Sequence, residues 1–361
     1  MTSIEKLMQQ AIADKVFPGA VLLVSHEGER LFHNAFGSRD IFTQLPMTAA
    51  TIFDLASLTK PLATTLAIMV LVQQAKVGLD QDLGEVLPAF KGDPKAFIKI
   101  KHLLYHNSGL ADYRAFYKTI ESHPLDKRKS ALRNLLVKEP LVHPVGSQVV
   151  YSDIGFMILE WLIEEIGGKP LDRFVSEKIY TPLGLSGLFF IDLKADRPPG
   201  VYAATEQCPW RRRVLAGQVH DENAYAVGGI QGHAGLFGTA ADVHGLLSHL
   251  LAAYHGKPAI RLFRPDMVKL FFRRLPHSDK ALGFDAPSSC GSSSGKFFSF
   301  QSVGHLGFTG TSFWMDLERS LIVVLLTNRV HPKRANETIK VFRPKLHDEI
   351  MQCLLGPAVR G

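Results

Sequence analysis

Cysteine, long apolar runs and nucleotide-binding motifs are scarce or missing in this 361-residue sequence, and each shortage excludes a class of protein. The cysteines are far apart and odd in number, which argues against a disulfide framework or a zinc knuckle: Cys208, Cys290 and Cys353. The longest obvious apolar runs, Leu66–Val72 and Leu321–Leu326, are too short to span a membrane. The glycine patterns of P-loops, of dinucleotide-binding folds and of the Gly-x-Ser-x-Gly elbow are absent. We therefore expect neither a nucleotide-dependent enzyme nor an α/β-hydrolase.

The charge of the chain is mildly basic and scattered. The formal net charge is +7 and the isoelectric point is near 9.2, but the basic residues cluster in just two short runs, Arg211–Arg213 and Arg273–Arg274. No basic motif with interleaved aromatic residues is present, so we expect no nucleic-acid partner. The segment Met1–Lys6 lacks the apolar core of a signal peptide, which favours a cytoplasmic protein without a membrane anchor. Composition does not indicate an oligomeric state.

Helical periodicity is strongest at the start of the chain and through its middle. Ile4, Leu7, Met8 and Ala11 recur at helical spacing, so the chain opens with an amphipathic helix. Further helices are predicted from spacing and from N-cap or C-cap residues: Asp126–Lys138, Ile154–Ile166 ended by Gly167 and Gly168, Ala240–Tyr254 with Thr239 as N-cap, and Pro344–Leu355.

Strand patterns lie near both ends of the chain. Ala20–Val24 and Arg30–Phe36 predict one hairpin, Thr311–Asp316 and Leu321–Asn328 predict a second, and Lys296–Val303 is expected to be extended. Strands at both ends with helices between them indicate an α+β protein whose termini meet in one antiparallel sheet. We place the sheet domain at residues 1–56 and 257–361 and a mostly helical domain at residues 57–256.

A serine and a lysine three residues apart precede the most apolar helix of the sequence. This helix is expected over Leu62–Lys76, with Pro61 restricting its start and Gly78 ending it. Because it is apolar on every side, it belongs in a core. Ser57 and Lys60 then share a face at its N-terminal end, where backbone N–H groups have no intrahelical partner. A hydroxyl, an amine and spare N–H donors are the parts that acyl transfer needs.

The Ser-x-x-Lys spacing is a weak signal by itself. It occurs again at Ser3–Lys6 and Ser293–Lys296, neither of which opens a buried helix. From spacing alone, an N-cap role for Ser57 is as good an interpretation as a catalytic one.

A tyrosine pattern could supply the proton shuttle that a serine nucleophile needs. Tyr151-x-Asp153 comes directly before the helix at Ile154, although Asp153 there could simply be the N-cap of that helix. A rival Tyr-x-Asn pattern occurs at Tyr105 and Asn107.

A histidine–glycine pattern precedes the last strands. In His305-x-Gly307, glycine would let a substrate approach the backbone of an edge strand with the imidazole beside it. The alternative is a turn with a surface histidine, and His233-x-Gly235 repeats the pattern.

Two histidines have the spacing of a zinc-binding helix. His102 and His106 are four residues apart, but no glutamate follows His102 and the segment runs into a helix stop at Asn107–Gly109. We favour a structural role for this pair, and we expect no metal and no cofactor.

Taken in order, Ser57-x-x-Lys60, Tyr151-x-Asp153 and His305-x-Gly307 resemble the motifs of the serine β-lactamase and penicillin-binding-protein superfamily. The nearest likeness is to the class C branch, with its esterases and D-peptidases. Three longer stretches also resemble the family: Phe53–Lys60, Leu103–Leu110 and Gly304–Thr311. The second removes Tyr105 as a rival tyrosine, and the likeness covers nearly the whole chain. A glycine-rich stretch, Val227–Phe237, also resembles the family and is expected to border the substrate cleft.

The resemblance implies the β-lactamase/D,D-peptidase fold, with the cleft between the sheet and the helical domain. It implies Ser57 as the acylated nucleophile, and Lys60 and Tyr151 as the groups that move its proton. His305 would stand where many relatives have lysine, and Gly307 belongs to the same motif. The oxyanion hole would be the N–H groups of Ser57 and Phe308. We expect the desolvated Lys60 to lose its proton near neutrality.

Two departures from the family pattern bear on the substrate. Asp153 replaces an asparagine that helps to hold the substrate's amide side chain, and a carboxylate would pair with Lys60 or with a substrate amine instead. His305 weakens the fixed positive charge that meets a β-lactam or peptide carboxylate. We therefore predict a serine hydrolase acting on small-molecule substrates, first a carboxylesterase. A D-amino-acid peptidase or weak β-lactamase is the alternative, and a receptor that is acylated without turnover is the non-enzyme alternative.

Overall fold

A computed structural model describes residues 2–356, and an antiparallel sheet of eight strands is its largest element. The spatial order of its strands is β3-β2-β1-β13-β12-β11-β10-β9, and the longest ladders join β1 to β2 and β1 to β13. Smaller sheets join β4, β8 and β5, and β6 with β7. The strands of the described residues are β1 Gly19–His26, β2 Glu29–Asp40, β3 Leu45–Pro46, β4 Phe53–Asp54, β5 Phe189–Phe190, β6 Ala204–Cys208, β7 Arg213–Ala216, β8 Leu236–Gly238, β9 Lys280–Ala281, β10 Phe284–Asp285, β11 Val303–Leu306, β12 Ser312–Asp316 and β13 Leu321–Thr327.

Helices flank this sheet and fill the middle of the chain. The α-helices are α1 Thr2–Ala13, α2 Leu66–Gln73, α3 Leu83–Val86, α4 Ile100–Leu104, α5 Tyr117–Ile120, α6 Leu125–Lys138, α7 Asp153–Gly167, α8 Leu171–Val175, α9 Glu222–Ala226, α10 Ala240–Tyr254, α11 Pro265–Phe272 and α12 Ile339–Leu355. Short 3-10 turns lie at Ala56–Leu58, Pro88–Phe90 and Pro94–Phe97, and π-helical turns lie at Lys60–Thr65 and Ser176–Tyr180.

The two faces of the sheet carry separate cores, as strict alternation along the strands requires. In β1, Val21 and Leu23 join the large core shared with α2, α7 and α10. Ala20, Leu22 and Val24 point to the opposite face and pack with α1 and α12. Because both faces are covered, the central strands are apolar throughout, which explains the short continuous apolar runs in the sequence. The predicted α+β architecture with strands from both chain ends is confirmed.

Most predicted elements are found within two residues of their expected bounds. Among the exceptions, β2 continues to Asp40, four residues beyond the predicted Phe36, and the helix predicted to end at Lys76 ends at Gln73. The last helix begins at Ile339, five residues before the predicted start, so Pro344 lies inside it. The prediction of an extended Lys296–Val303 is wrong except at its end, where Val303 opens β11. The residues before Val303 form turns, held in part by Ser299, whose N–H and hydroxyl bond the buried Asp316 carboxylate. The domain boundaries stay a prediction.

The helix after Ser57 starts earlier than the sequence predicts. The chain becomes helical at Ala56 as a tight 3-10 turn. It widens into a π-helical stretch over Lys60–Thr65 and becomes a regular α-helix at Leu66. Pro61 therefore lies inside a helical stretch, where the local departures from α geometry accommodate its missing N–H. By length and composition alone, Ala56–Gln73 could cross a membrane, but 83% of it is buried inside the protein. It is a core helix, as its all-round apolar pattern predicts.

Candidate active site

Ser57 lies in the first helical turn after β4, with Lys60 one turn further on. The residue before the serine, Ala56, has a positive φ of 48°, which is uncommon for a residue with a side chain and is often found at functional sites. Ser57 is the second residue of the turn, where a backbone N–H has no preceding carbonyl to bond. The Nζ of Lys60 donates to the Oγ of Ser57 at 3.0 Å. The predicted pairing of this serine and lysine is thus present in space.

Lys60 is held as an ammonium group. It is fully buried, and its Nζ contacts three acceptors: the Ser57 hydroxyl at 3.0 Å, the His233 carbonyl oxygen at 3.1 Å and the Asp153 carboxylate at 2.7 Å. Three acceptors match the three N–H donors of –NH3+. Burial lowers the pKa of Lys60, but the charge of Asp153 outweighs it, with Tyr151 adding to the effect, and the pKa is raised above its ordinary value. The expectation that Lys60 loses its proton near neutrality is wrong, because Asp153 replaces a neutral side chain beside it.

Tyr151 reaches the site from the segment that leads into α7. Its ring lies 4.8 Å from the Nζ of Lys60, and burial raises the pKa of its phenol although Lys60 opposes this. The N-cap of α7 is Ser152, whose Oγ accepts a hydrogen bond from the Gly155 N–H. The alternative that Asp153 is the N-cap of this helix is therefore wrong. Asp153 is thereby left to pair with Lys60.

The rival Tyr105–Asn107 segment packs against Tyr151 through the side chain of His106. His106 has a positive φ of 58°, and its ring packs against the Tyr151 ring at a tilt of 33°, with 4.6 Å between centroids. Its Nδ1 accepts a hydrogen bond from the Ser152 N–H at 3.0 Å. Burial and nearby cations hold the pKa of His106 well below its usual range, so it stays a neutral acceptor. The segment positions the tyrosine and is not a second catalytic motif.

The zinc-helix alternative for His102 and His106 is wrong. The helix α4 ends at Leu104, and the positive φ of His106 turns its side chain away from the helical register. His102 instead accepts from the Lys99 N–H with its Nδ1 at 3.3 Å. The two rings therefore have separate structural roles.

His305 lies behind the site and not in its wall. It is 2% exposed on β11, its ring centroid is 5.9 Å from that of Tyr151, and it is not among the side chains that line the cavity at Ser57. Burial lowers the pKa of His305 to about 4 although Asp285 opposes this, so the ring is neutral at pH 7. Its proposed place in catalysis stays a prediction, and it supplies no positive charge to a substrate.

The loop after β11 carries the second predicted oxyanion donor. Thr309 and Thr311 donate their hydroxyls to the carbonyl oxygens of Asp54 and Leu55, at 2.8 and 3.0 Å, and so fix the loop against the chain before Ser57. Phe308 lines the cavity, and its N–H has no acceptor within residues 2–356. Arg329 holds the Phe308 carbonyl with two donors, at 3.0 and 2.6 Å.

Gly307 is required for this close approach. A Cβ there would lie 2.0 Å from the Thr311 Oγ1 and 2.7 Å from the Leu55 carbonyl oxygen. Glycine is therefore needed because the loop and the serine segment pack against each other, and not because a substrate approaches at that point.

A cavity of about 340 Å³ opens over Ser57. Besides the predicted Ser57, Tyr151, Asp153 and Phe308, it is lined by side chains that the sequence alone did not indicate: Tyr113, His220, Asp221, Glu222 and Arg334. His233 and Ala234 come from the glycine-rich segment 227–237, which was expected to border the cleft and does. The rival His-x-Gly pattern thus contributes its histidine to the cavity wall, whereas His305 does not.

The added side chains form two ionic networks. Asp221 caps α9 and accepts from His233 at 2.9 Å, and His233 lowers the pKa of Asp221 against the effect of burial. Arg334 is bound by Glu206 and by Glu222. His220 contacts Glu206 at 3.1 Å, and the pKa of Glu206 is lowered to about 2, because these hydrogen bonds and charges outweigh its burial.

One group of side chains in the described residues could hold a metal ion by proximity. Asp153, Asp221 and His233 present ligand atoms within 4.8 Å of one another. The Lys60 ammonium already lies 2.7 Å from Asp153, so a divalent ion there would have to share the carboxylate with a fixed cation. The arrangement fits a proton-transfer and nucleophile site better than a metal site.

Comparison with known proteins finds a matching family model and curated relatives over most of the chain. The family model described as Beta-lactamase matches residues 4–343. A relative from Escherichia coli K12, named "Putative D-alanyl-D-alanine carboxypeptidase", is 31% identical over 88% of this chain and 80% of its own length. A relative of the same name from Salmonella paratyphi B is 33% identical over 96% of this chain and 85% of its own.

Solved structures agree on the fold. EstCE1, described as a hydrolase with promiscuous acyltransferase activity, superposes with a TM-score of 0.75 at 24% identity, covering 96% of this chain and 97% of its own. The octameric penicillin-binding protein homologue from Pyrococcus abyssi gives a TM-score of 0.74 at 20% identity, over 98% of this chain and 77% of its own. The resemblance and the fold predicted from the motifs are confirmed.

Proposed function

The chain belongs to the β-lactamase family and is a serine hydrolase, and we propose that it works through an acyl-enzyme on Ser57. The observation that carries this proposal is the buried Lys60 ammonium 3.0 Å from the Ser57 hydroxyl, at the floor of a cavity that Tyr151 and Phe308 also line. Nucleophile, proton-transfer group and oxyanion donor are then within one site, as covalent catalysis requires.

The proton of Ser57 passes to Tyr151 in this proposal, because a fully bonded Lys60 ammonium has no lone pair to receive it. As Ser57 attacks the carbonyl carbon, the phenol oxygen of Tyr151 takes the serine proton and the phenol passes its own proton to the leaving-group atom. The carbonyl oxygen becomes an oxyanion facing the N–H groups of Ser57 and Phe308. When the tetrahedral intermediate collapses, the bond between the carbonyl carbon and that leaving-group atom breaks, and the leaving group departs as an alcohol or amine. Lys60 contributes its charge, which stabilises the negative charge that develops on the serine oxygen. Water then releases the acyl group through the same relay in reverse.

Carboxylic ester or amide hydrolysis is the reaction class, with an ester as the first candidate. The relatives named as carboxypeptidases keep D-peptidase activity as the second candidate. Against a carboxypeptidase, Arg334 is already bound by two glutamates and is not free to hold a terminal carboxylate. Among the described residues that line the wall, Arg334 is the single lysine or arginine, which makes efficient β-lactam hydrolysis a weaker candidate as well. The cytoplasmic location expected from the sequence, and the absence of nucleic-acid and membrane partners, stay predictions.

Intact-mass spectrometry tests the proposal directly. The protein is incubated with a fluorophosphonate and, separately, with a penicillin, and p-nitrophenyl acetate turnover is then measured. We expect one fluorophosphonate adduct on Ser57 with ester turnover. Ser57→Ala should lower turnover at least about 1,000-fold. Ser3→Ala is the matched control, because Ser3 has the same spacing to a lysine but lies exposed on α1.

Each other outcome has a definite meaning. A long-lived penicilloyl adduct without turnover would indicate a receptor or a slow peptidase. Full turnover by Ser57→Ala, or no adduct from either reagent, would mean that Ser57 is only a helix start, and the proposed mechanism would be wrong.

A further inference from the structure

A second cavity lies between the end of α1, the end of β2 and the segment that precedes α12. Its volume is about 700 Å³, against about 340 Å³ for the cavity over Ser57, and the two share no lining residue among those described. Sites for small molecules are clefts of about 300–1,000 Å³ with mostly apolar walls and a few polar groups. Apolar residues from all three segments line this second cavity: Ile12, Phe17, Pro18, Ile41, Pro332 and Ala335. A ligand bound here would therefore bury an apolar body.

The charge of the second cavity is positive. Lys15 and Lys333 both line it and are exposed to solvent. The ion pairs that lysines form within residues 2–356 involve other lysines. No aspartate or glutamate of the described chain lines the cavity, and the carboxylates that follow or precede its lining residues in sequence already have partners: Asp14, Asp40 and Glu337. An anion would therefore meet complementary charge, and a cation would be repelled.

Hydrogen bonds hold the walls of the second cavity in place. The Nδ2 of Asn336 donates to the carbonyl oxygens of Lys15 and Val16, at 2.8 and 3.2 Å, which fixes the segment before α12 against the turn after α1. The N–H of Ile41 donates to Nε2 of the buried His331 at 3.1 Å, which fixes the end of β2 against the same segment. Because these bonds lie within the protein, the cavity is preformed, and a ligand does not have to order its walls.

We propose that the second cavity binds an apolar carboxylate, of which a medium-chain fatty acid is the simplest example. The chain lies against the apolar wall, and the carboxylate is bound by Lys15 and Lys333. A carboxylate has two acceptor oxygens, so each lysine ammonium can donate to one of them. The inference goes beyond the proposed function and does not depend on it, since the ligand contacts neither Ser57 nor any other residue that lines the catalytic cavity.

Calorimetric titration of the unmodified protein tests the chemistry of the ligand. The probes are octanoate, butyrate, octan-1-ol, which lacks the charge, and octylammonium, which reverses it. We expect octanoate to bind about 10- to 100-fold more tightly than butyrate, because each further CH2 group adds up to about fourfold when buried. Octanoate should bind about 3- to 30-fold more tightly than octan-1-ol, as two exposed ion pairs allow, and octylammonium should bind more weakly than either. The preference for octanoate over octan-1-ol should shrink in about 0.5 M salt.

The variants that locate the ligand must leave the catalytic site intact. Arg329 bonds the Phe308 carbonyl and also the carbonyls of Arg334 and Asn336, so the segment before α12 supports the oxyanion loop. The side chains of Lys333 and Ala335 take no part in these bonds, and both line the second cavity.

A pair of lysine substitutions tests the charge. Lys15→Gln with Lys333→Gln should bring the affinities of octanoate and octan-1-ol to within about twofold of each other. Lys76→Gln with Lys118→Gln is the matched control, because it removes the same charge at exposed lysines that do not line the cavity, and it should keep the preference for octanoate. Ala335→Trp tests the position, because the larger side chain would occupy part of the cavity and should weaken both octanoate and octan-1-ol about 10-fold or more.

Three results would overturn the inference. Equal binding of octanoate and octan-1-ol would show that the lysines do not select an anion. Octanoate binding that neither the lysine pair nor Ala335→Trp weakens would place the ligand elsewhere, as in the catalytic cavity. Binding to vesicles of anionic phospholipid without saturable binding of octanoate would indicate that the lysines and the exposed Ile41 and Phe42 form a membrane-contact surface instead. Thermal unfolding checks each variant, and if Ala335→Trp does not fold, the lysine pair decides alone.

Discussion

Replacing Asp153 with asparagine should change the charge of Lys60 and reveal what that charge does. The carboxylate oxygen is 2.7 Å from the Lys60 Nζ, and Lys60 is fully buried while the Asp153 side chain is 19% exposed. Asparagine keeps the shape and one acceptor oxygen but removes the negative charge. Burial, which lowers the pKa of Lys60, is then opposed much less.

The size of the effect follows from Coulomb's law. At an effective dielectric constant of about 20, two unit charges 2.7 Å apart attract by about 6 kcal/mol, equal to about 4 pKa units. Partial exposure of Asp153 screens this, so a fall of about 2–4 units in the pKa of Lys60 is expected. The fall brings the pKa of Lys60 from well above its ordinary value back towards that value, about 10.4. The variant should also lose about 2–3 kcal/mol of stability, somewhat less than for a fully buried pair.

The assay is the pH dependence of p-nitrophenyl acetate hydrolysis, corrected for background hydroxide reaction. If Lys60 acts as a fixed cation, the unmodified enzyme has no Lys60 titration between pH 7 and 9. The Asp153→Asn variant should lose activity as the pH rises through the lowered pKa of Lys60, because the neutral amine no longer stabilises the serine oxygen.

A rate that rises with pH in the variant would show that neutral Lys60 is the base and would refute the Tyr151 relay. An unchanged profile would refute the calculated coupling. Asp93→Asn is the matched control, because Asp93 pairs with the buried Lys95 at 2.8 Å and neither residue lines the cavity. It should lose some stability without altering the pH profile. Thermal unfolding of each variant checks that the comparison is between folded proteins.

Two further predictions concern the loop after β11 and the buried His347. Gly307→Ala should lower kcat/KM for the ester about 100-fold, because its Cβ would displace Thr311 and with it the loop that carries the Phe308 N–H. Gly78→Ala is the control and should leave kcat/KM unchanged, because a Cβ there meets only ordinary contacts. Equal activity of the two variants would contradict the role given to the loop. Burial lowers the pKa of His347 to about 4, against about 6.5 unfolded, so its contribution to stability is present above pH 6.5 and lost as the pH falls towards 4. Urea unfolding at pH 7 and 4.5 should show His347→Gln losing about 2–3 kcal/mol less on acidification than the unmodified protein; equal losses would show that the ring is not neutral in the fold.

The sequence by itself determined the fold and the centre of the site. Alternating and continuous apolar runs near both chain ends were enough to predict one antiparallel sheet, because strand patterning reflects which faces are covered. Ser57, Lys60 and Tyr151 could be chosen over rival copies because their order and surrounding segments resembled one family. Apolar periodicity and short motifs are read over neighbouring residues, and such local patterns determine which helices and strands form.

Only the tertiary structure decided how the site is charged and which histidine borders it. The charge state of Lys60 depends on Asp153 and on the His233 carbonyl, which lie 93 and 173 residues away along the chain. Asp221 and Arg334 reach the cavity from loops whose own sequence carries no catalytic pattern. A pKa depends on burial and on charges within a few ångströms, and neither is visible in residue spacing. The sequence therefore predicted which serine and lysine meet, and the packing of distant segments around Lys60 set the charge of that lysine.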